Sequence, residues 1–140
     1  MCGLTYSGHP LACAAGIATL DVYKEEKLVE RSKVMGKILG QIEEELKRKH
    51  PCVGDVRYKG LLSAIELVKD KETKEQLVEY NKDPENIMGG IIVALKKKGF
   101  STYSHENNII VAPPLIITET ELRDAMAIMD EVLADVDAMI

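Results

Sequence analysis

Apolar residues recur at helical spacing near the start of the chain and predict a first helix. We expect this helix to run from Pro10 to about Tyr23, because a proline loses nothing at the first helical position. Ser7 or Gly8 is expected near its N-cap. Its apolar stripe consists of Leu11, Ala14, Ala15, Ala18 and Val22.

A polar break at residues 24–27 precedes a second predicted helix, which ends near Lys49 because Pro51 follows. Its apolar stripe is formed by Leu28, Met35, Ile38, Leu39, Ile42 and Leu46. The charged residues are predicted to form its solvated face; they are Glu43, Glu44, Glu45, Lys47 and Arg48.

Residues 53–68 are rich in branched side chains and predict β structure. Both faces of the second half of this region are largely apolar, so its strand is expected to be central or covered on both sides. Glu66 is the exception, and we expect it to pair with Lys59 or Arg57. The hydrophilic residues 69–83 are predicted to be a surface connection with a helical turn at residues 75–80.

Asp83 and Pro84 predict the start of a third helix, which Gly99 ends. Residues 100–103 and 109–112 read as a hairpin, whose pairing ends at two consecutive prolines. Thr118 and Glu121 predict a capping box for a last helix. Four helices and about three strands indicate an α+β fold, a two-layer sandwich with helices on one face of a mainly antiparallel sheet.

Composition narrows the possible functions. The 140 residues are 46% hydrophobic and 29% charged, as in an ordinary globular domain. A net charge of −5 argues against a nucleic-acid partner, and no apolar run is long enough to span a membrane. The three cysteines and three histidines are scattered, so we predict reduced thiols, a cytoplasmic location and no metal site.

The stretch from Gly3 to Ala15 carries the candidate chemistry. Hydroxyl side chains and glycines lead directly into the first helix, whose free N–H groups form a positive end. Such an arrangement suits a small anion, although a simple capped helix explains the same residues.

The sequence of this stretch, GLTYSGHPLACAA, resembles a segment of the class III (omega-type) aminotransferases. Two further stretches resemble the same family in the same order. They are VGDVRYKGLL at residues 53–62, with IEL at 65–67, and NIIVAPPLIIT at residues 108–118. Together the three span most of the chain. They resemble the C-terminal small domain of fold-type I enzymes that depend on pyridoxal phosphate.

The resemblance implies that Thr5, with the backbone around Leu4, contacts the cofactor phosphate of the partner subunit in a homodimer. Residues 1–23 would form the phosphate loop and connecting helix, and residues 24–140 the small-domain body. The family's Schiff-base lysine and pyridine-nitrogen carboxylate lie upstream of the first motif, in a large domain. We therefore expect this chain alone not to catalyse the family reaction, amino transfer from an amine or amino acid to a keto acid such as pyruvate, and not to bind the cofactor stably.

The family commonly holds a substrate carboxylate with an arginine near the third motif, but here none lies between Arg57 and Arg123. Ile110, Tyr103 and His105 stand at positions where other members place that arginine. His105 is a candidate substitute contact, although an exposed histidine in the hairpin turn is the simpler interpretation. The alternative function is a free-standing, non-enzymatic domain that binds an anion or a partner.

Overall fold

The computed structural model describes residues 5–140 and contains four helices and five strands in that range. In chain order the elements are α1 (Pro10–Glu25), α2 (Leu28–Lys49), β1 (Val53–Lys59), β2 (Leu62–Asp70), β3 (Glu75–Gln76), α3 (Ile87–Lys97), β4 (Ser104–His105), β5 (Asn108–Val111) and α4 (Glu119–Asp137). All pairings are antiparallel, in the order β1-β2-β5-β4, and β3 pairs with the end of β2. The α+β class predicted from the sequence is confirmed.

The core lies on one face of this sheet. Alternate residues of β2 point into it, including Ile65 and Leu67, and β5 contributes Ile109 and Val111. Helix α2 packs on β1 and β2, and α4 packs against α2 and α3. Strand β2 is central, as predicted, but its second face stays open: Leu62 is largely exposed.

Helix α1 begins at Pro10, as predicted, with its N-cap at His9, directly after Gly8, and no side chain caps it. The start of α3 differs from the prediction. Helix α3 begins at Ile87, because Asn86 adopts a left-handed conformation (φ 52°) that interrupts the chain after Pro84. Asp83 still serves the helix, since its carboxylate accepts the N–H of Ile87 at 2.7 Å and that of Met88 at 2.9 Å. The capping box at Thr118 and Glu121 is confirmed.

The helical turn predicted for residues 75–80 is wrong. Glu75–Gln76 form a strand, and the next two residues, Leu77 and Val78, are buried in the core. The buried amide of Asn107 holds this segment extended: it accepts the N–H of Val78 at 2.8 Å and donates to its carbonyl at 2.9 Å. A tertiary contact thus overrides local hydrophilicity.

The strand predicted at residues 100–103 is also displaced, because the pairing partner of β5 is Ser104–His105. Only single bonds tie the preceding residues to β5. The N–H of Ile110 donates to the carbonyl of Tyr103 at 3.1 Å, and the hydroxyl of Thr102 donates to the carbonyl of Ile110. The turn between the two strands is therefore short and consists of Glu106 and Asn107.

Glu43 does not belong to the solvated face of α2. Its side chain is fully buried, and its Oε1 contacts the hydroxyl of Ser63 on β2. Glu43 lies on the buried face of α2, because residues 36, 40 and 43 share one side of the helix and all three are buried. The pattern of residue types alone could not distinguish Glu43 from its exposed neighbour Glu45.

Helix α1 has no buried residue. Its large apolar side chains face outward: Leu11 is 74% exposed, Ile17 61% and Leu20 60%. A 16-residue helix without a buried face gains little stability from propensity alone. Helix α1 thus leaves an apolar surface uncovered, and we expect the chain to self-associate through this surface.

Candidate functional site

The segment before α1 forms a tight turn. Residues 5–8 are in turn conformation, and Gly8 takes a φ of 76°, which a residue with a side chain rarely adopts. The N–H of His9 closes the turn by donating to the carbonyl of Tyr6 at 3.1 Å. Pro10 then opens the helix at its first position. The turn therefore directs the chain into α1 through local geometry.

This turn is open to solvent. Thr5 and Ser7 are exposed, and the first turn of α1 lacks a side-chain cap. Its N–H groups can therefore be satisfied by water or by an anion. A hydroxyl donor beside a positive helix end fits a phosphate group chemically. Leu4 lies outside the residues that the structure describes, so its predicted contact has no structural account.

The open face of the sheet holds an ion-pair network centred on Arg57. Its guanidinium donates to Glu66 at 2.6 Å, to Asp55 at 3.0 Å and to the side-chain oxygen of Asn108 at 2.7 Å. The predicted pairing of Glu66 with Arg57 is confirmed. The hydrogen bond to Glu66 raises the pKa of Arg57, and a hydrogen bond from Lys47 at 2.8 Å lowers that of Asp55. The guanidinium of Arg57 is thus already hydrogen-bonded to partners within the chain.

A shallow groove lies beside this network. Tyr103 and Ile110, two of the three positions at which the sequence lacks the expected arginine, lie together in it. The hydrogen bond between their backbones pairs them across the sheet. Leu62 adds apolar surface, and exposed Lys59 lies at the edge.

His105 is not brought to this groove or to Thr5. It is exposed in β4, where it pairs with Asn108, and it does not line the groove. No hydrogen bond within residues 5–140 joins His105 to Thr5. The predicted site residues are therefore not assembled into one site by the described part of this chain.

One contact that shapes the third motif is not indicated by the sequence. The guanidinium of Arg31, on α2, donates to three successive backbone carbonyls: Leu115 and Ile116 at 3.0 Å each, and Ile117 at 2.6 Å. It thereby fixes the connection between β5 and α4. Nothing in the local pattern indicated this, because the partners are more than eighty positions apart.

Within residues 5–140 the structure contains no cluster of three or more metal-ligating side chains. None of the helices described there combines the length and apolar character needed to cross a bilayer.

Comparison with known proteins identifies relatives across nearly the whole chain. The family model for aminotransferase class-III matches residues 2–133. An uncharacterized aminotransferase, YhxA of Bacillus subtilis, is 41% identical over 126 residues, which cover 84% of this chain and 26% of that protein. Ethanolamine-phosphate phospho-lyase homolog 1 of Caenorhabditis elegans is 36% identical over 92% of this chain and 27% of its own length.

Among solved structures, taurine:2-oxoglutarate aminotransferase from Bifidobacterium kashiwanohense, in complex with PLP and glutamate, superposes with a TM-score of 0.92 at 44% identity. The match covers 99% of this chain and 31% of that one. A transaminase from the marine bacterium Virgibacillus gives 0.85 at 35% identity, with 99% and 31% coverage. The chain spans between a quarter and a third of the length of these relatives.

Proposed function

This chain belongs to the class III aminotransferase family, and we propose that it acts as the C-terminal small-domain part of a transaminase. The reaction is transfer of an amino group from an amine or amino acid to a keto acid such as pyruvate. Pyridoxal phosphate, when bound, supplies the electron sink for that chemistry. The observation that carries the proposal is the match of three ordered motifs and of the fold itself to enzymes of this family.

The contribution of this chain to the cofactor site is Thr5. Its exposed hydroxyl and the uncapped start of α1 offer hydrogen-bond donors of the kind that a phosphate accepts. The site is completed in a homodimer, where Thr5 and the backbone near Leu4 serve the phosphate bound by the partner subunit. Residues 1–23 form the phosphate loop and connecting helix, and residues 24–140 form the small-domain body.

The lysine that binds the cofactor covalently and the carboxylate on its pyridine nitrogen come from a large domain that is not part of these 140 residues. The relatives are between three and four times as long as this chain, which leaves room for such a domain. By itself the chain is non-catalytic and does not hold the cofactor stably.

The groove with Tyr103 and Ile110 constrains how the substrate is bound. No guanidinium in it is available for a substrate carboxylate, because Arg57 is already bonded to two carboxylates and an amide. This leaves open an ω-amine, a sulfonate or another substrate, or a substrate carboxylate that binds an arginine of the large domain. His105 remains a candidate contact on the edge of the sheet.

Titration of the purified chain with pyridoxal phosphate, followed by borohydride reduction, tests the division between domains. We expect no stoichiometric adduct at any single lysine, because the reactive lysine lies elsewhere. Absorbance and mass spectrometry of the reduced protein provide the readout. One equivalent fixed on one lysine would contradict the proposal and indicate a cofactor site within this chain.

Thr5 is tested in a chimera in which this chain replaces the matching part of the Bifidobacterium enzyme, which is 44% identical. We expect this chimera to have transaminase activity. In its Thr5→Ala variant the Kd for the cofactor should rise by about tenfold to a hundredfold, which corresponds to the loss of one hydrogen bond to a charged group. Thr5→Ser should restore most of the affinity.

Ser7→Ala in the same chimera is the matched control, since it also removes a hydroxyl from the turn, and its Kd should stay within about twofold of the parent. Equal effects of both substitutions would contradict a specific role for Thr5. An unchanged KM in His105→Ala would remove His105 from the site. A folded but inactive chimera with normal cofactor affinity would favour the non-enzymatic alternative for this domain.

A further inference from the structure

The contact between α2 and the sheet contains a carboxyl group that the proposed function does not use. Glu43 on α2 is fully buried, and its Oε1 meets the hydroxyl of Ser63 on β2, which is itself buried. Its second oxygen, Oε2, is also buried and has no hydrogen-bond partner. An ionised carboxylate in this position would leave a buried negative oxygen without a donor, which is costly.

The packing around Glu43 is too tight for a simple rearrangement. One and two turns earlier on the same helix face, Gly40 lies against the ring of Tyr58, and Gly36 lies against the backbone of Gly60. No Cβ would fit at either glycine without displacement of these neighbours. Helix α2 is therefore held against the hairpin of β1 and β2, with Glu43 enclosed between them.

The charges near this contact are already paired or repel Glu43. On α2 itself, Glu44 adds repulsion and Lys47 binds Asp55 of β1 at 2.8 Å. On the sheet, Arg57 binds Glu66. From α4, Asp130 is bound by Lys49 and His50, and Arg123 by Glu119. Within the described residues, no lysine or arginine forms an ion pair with Glu43.

We propose that the folded chain keeps a proton on Glu43, so that the Glu43–Ser63 contact is a pH-sensitive joint between α2 and the sheet. The hydroxyl of Ser63 donates to Oε1, so the proton lies on Oε2, the oxygen without a partner. Oε2 is then a neutral O–H group that lacks an acceptor, a much smaller cost than a buried charge. Loss of this proton places a charge between the two layers and weakens their contact.

The acidity of the group agrees with this geometry. Burial raises the pKa of Glu43 from 4.5 to about 7, against an opposing effect of the Ser63 hydrogen bond. Because the pKa is higher in the folded state, the contribution of Glu43 to stability is complete below pH 4.5. It is lost as the pH rises toward 7 and changes no further above that value.

The test is urea unfolding of the chain and of Glu43→Gln between pH 5 and pH 8.5. From the lower to the upper end, we expect the folding equilibrium constant of the unaltered chain to fall by about two orders of magnitude relative to that of Glu43→Gln. Glutamine mimics the neutral carboxyl in size and polarity, so the variant should fold. Glu45→Gln, the same charge change at an exposed position two residues later, should retain the pH dependence of the parent.

A second measurement reports the proton directly. Infrared spectra of the folded chain at pH 6, below the pKa of Glu43, should contain the C=O band of a neutral carboxyl, which disappears in Glu43→Gln and persists in Glu45→Gln. A stability difference between the chain and Glu43→Gln that does not vary with pH would overturn the proposal. So would absence of the neutral-carboxyl band.

Discussion

Replacement of Gly36 by alanine is expected to destabilise the domain by about 2 kcal/mol or more, since an added methyl group has no room. A Cβ at this position would overlap the backbone of Gly60, which turns the β1–β2 hairpin with a φ of 58°. Backbone cannot move aside as the end of a flexible side chain can. Ser32, one turn earlier, also accepts the N–H of Leu61 at 3.3 Å, so a displaced hairpin would lose this bond as well.

Gly90→Ala is the matched control for Gly36→Ala. Gly90 lies in α3, it is exposed, and nothing lies within 4 Å of its added Cβ. Here alanine removes only the entropic disadvantage of glycine in a helix, so we expect a gain of about 0.5–1 kcal/mol. Urea unfolding of both variants provides the comparison. A Gly36→Ala variant as stable as the parent would show that α2 and the hairpin do not meet as described.

Replacement of His50 by alanine is the second large effect that we expect, a loss of about 2–4 kcal/mol. His50 is buried at the end of α2, and its ring bridges two carboxylates of α4. Nδ1 lies 2.6 Å from Asp137 and Nε2 lies 2.7 Å from Asp130. Each ring nitrogen thus lies within hydrogen-bond distance of one carboxylate. Removal of the ring leaves both partly buried carboxylates without this partner.

The same cluster predicts acid sensitivity. A hydrogen bond from Lys49 lowers the pKa of Asp130. Burial raises the pKa of Asp137, but hydrogen bonds from Cys52 and His50 outweigh this effect, so that the pKa of Asp137 is also lowered. Groups whose pKa is lower in the folded state stabilise it above their ordinary pKa of 3.8 and lose that effect as the pH falls further.

His105→Ala controls for the loss of an imidazole, because this histidine is exposed and bridges no carboxylates. Its free energy of unfolding should remain within about 0.5 kcal/mol of the parent. Denaturant unfolding at pH 6 and pH 3.5 separates the expected effects. The cost of His50→Ala should shrink at the lower pH as the carboxylates take up protons. Equal stability of the two histidine variants would contradict the bridging role.

The sequence could predict those elements whose stability depends on nearby residues. The capping box of Thr118 and Glu121 needs only one helical turn, and the bounds of α1 and α2 follow from Pro10, the polar break and Pro51. The family motifs, which contain Thr5, were likewise readable without a structure. The segment around Leu77 was not, because its extended form depends on Asn107, about thirty residues later.

By itself, then, the sequence determined the α+β class, the apolar stripes of the helices and the family to which the chain belongs. All of these follow from the periodicity and identity of neighbouring residues. Only the tertiary structure decided that Glu43 is buried while Glu45 is exposed, that His50 joins α2 to α4, and that Arg31 holds residues 115–117. It also placed Tyr103 beside Ile110 in one groove. These outcomes depend on which residues distant in sequence pack against each other. The energetic cost of a buried charge or an unpaired donor depends on these tertiary contacts and cannot be derived from the local sequence.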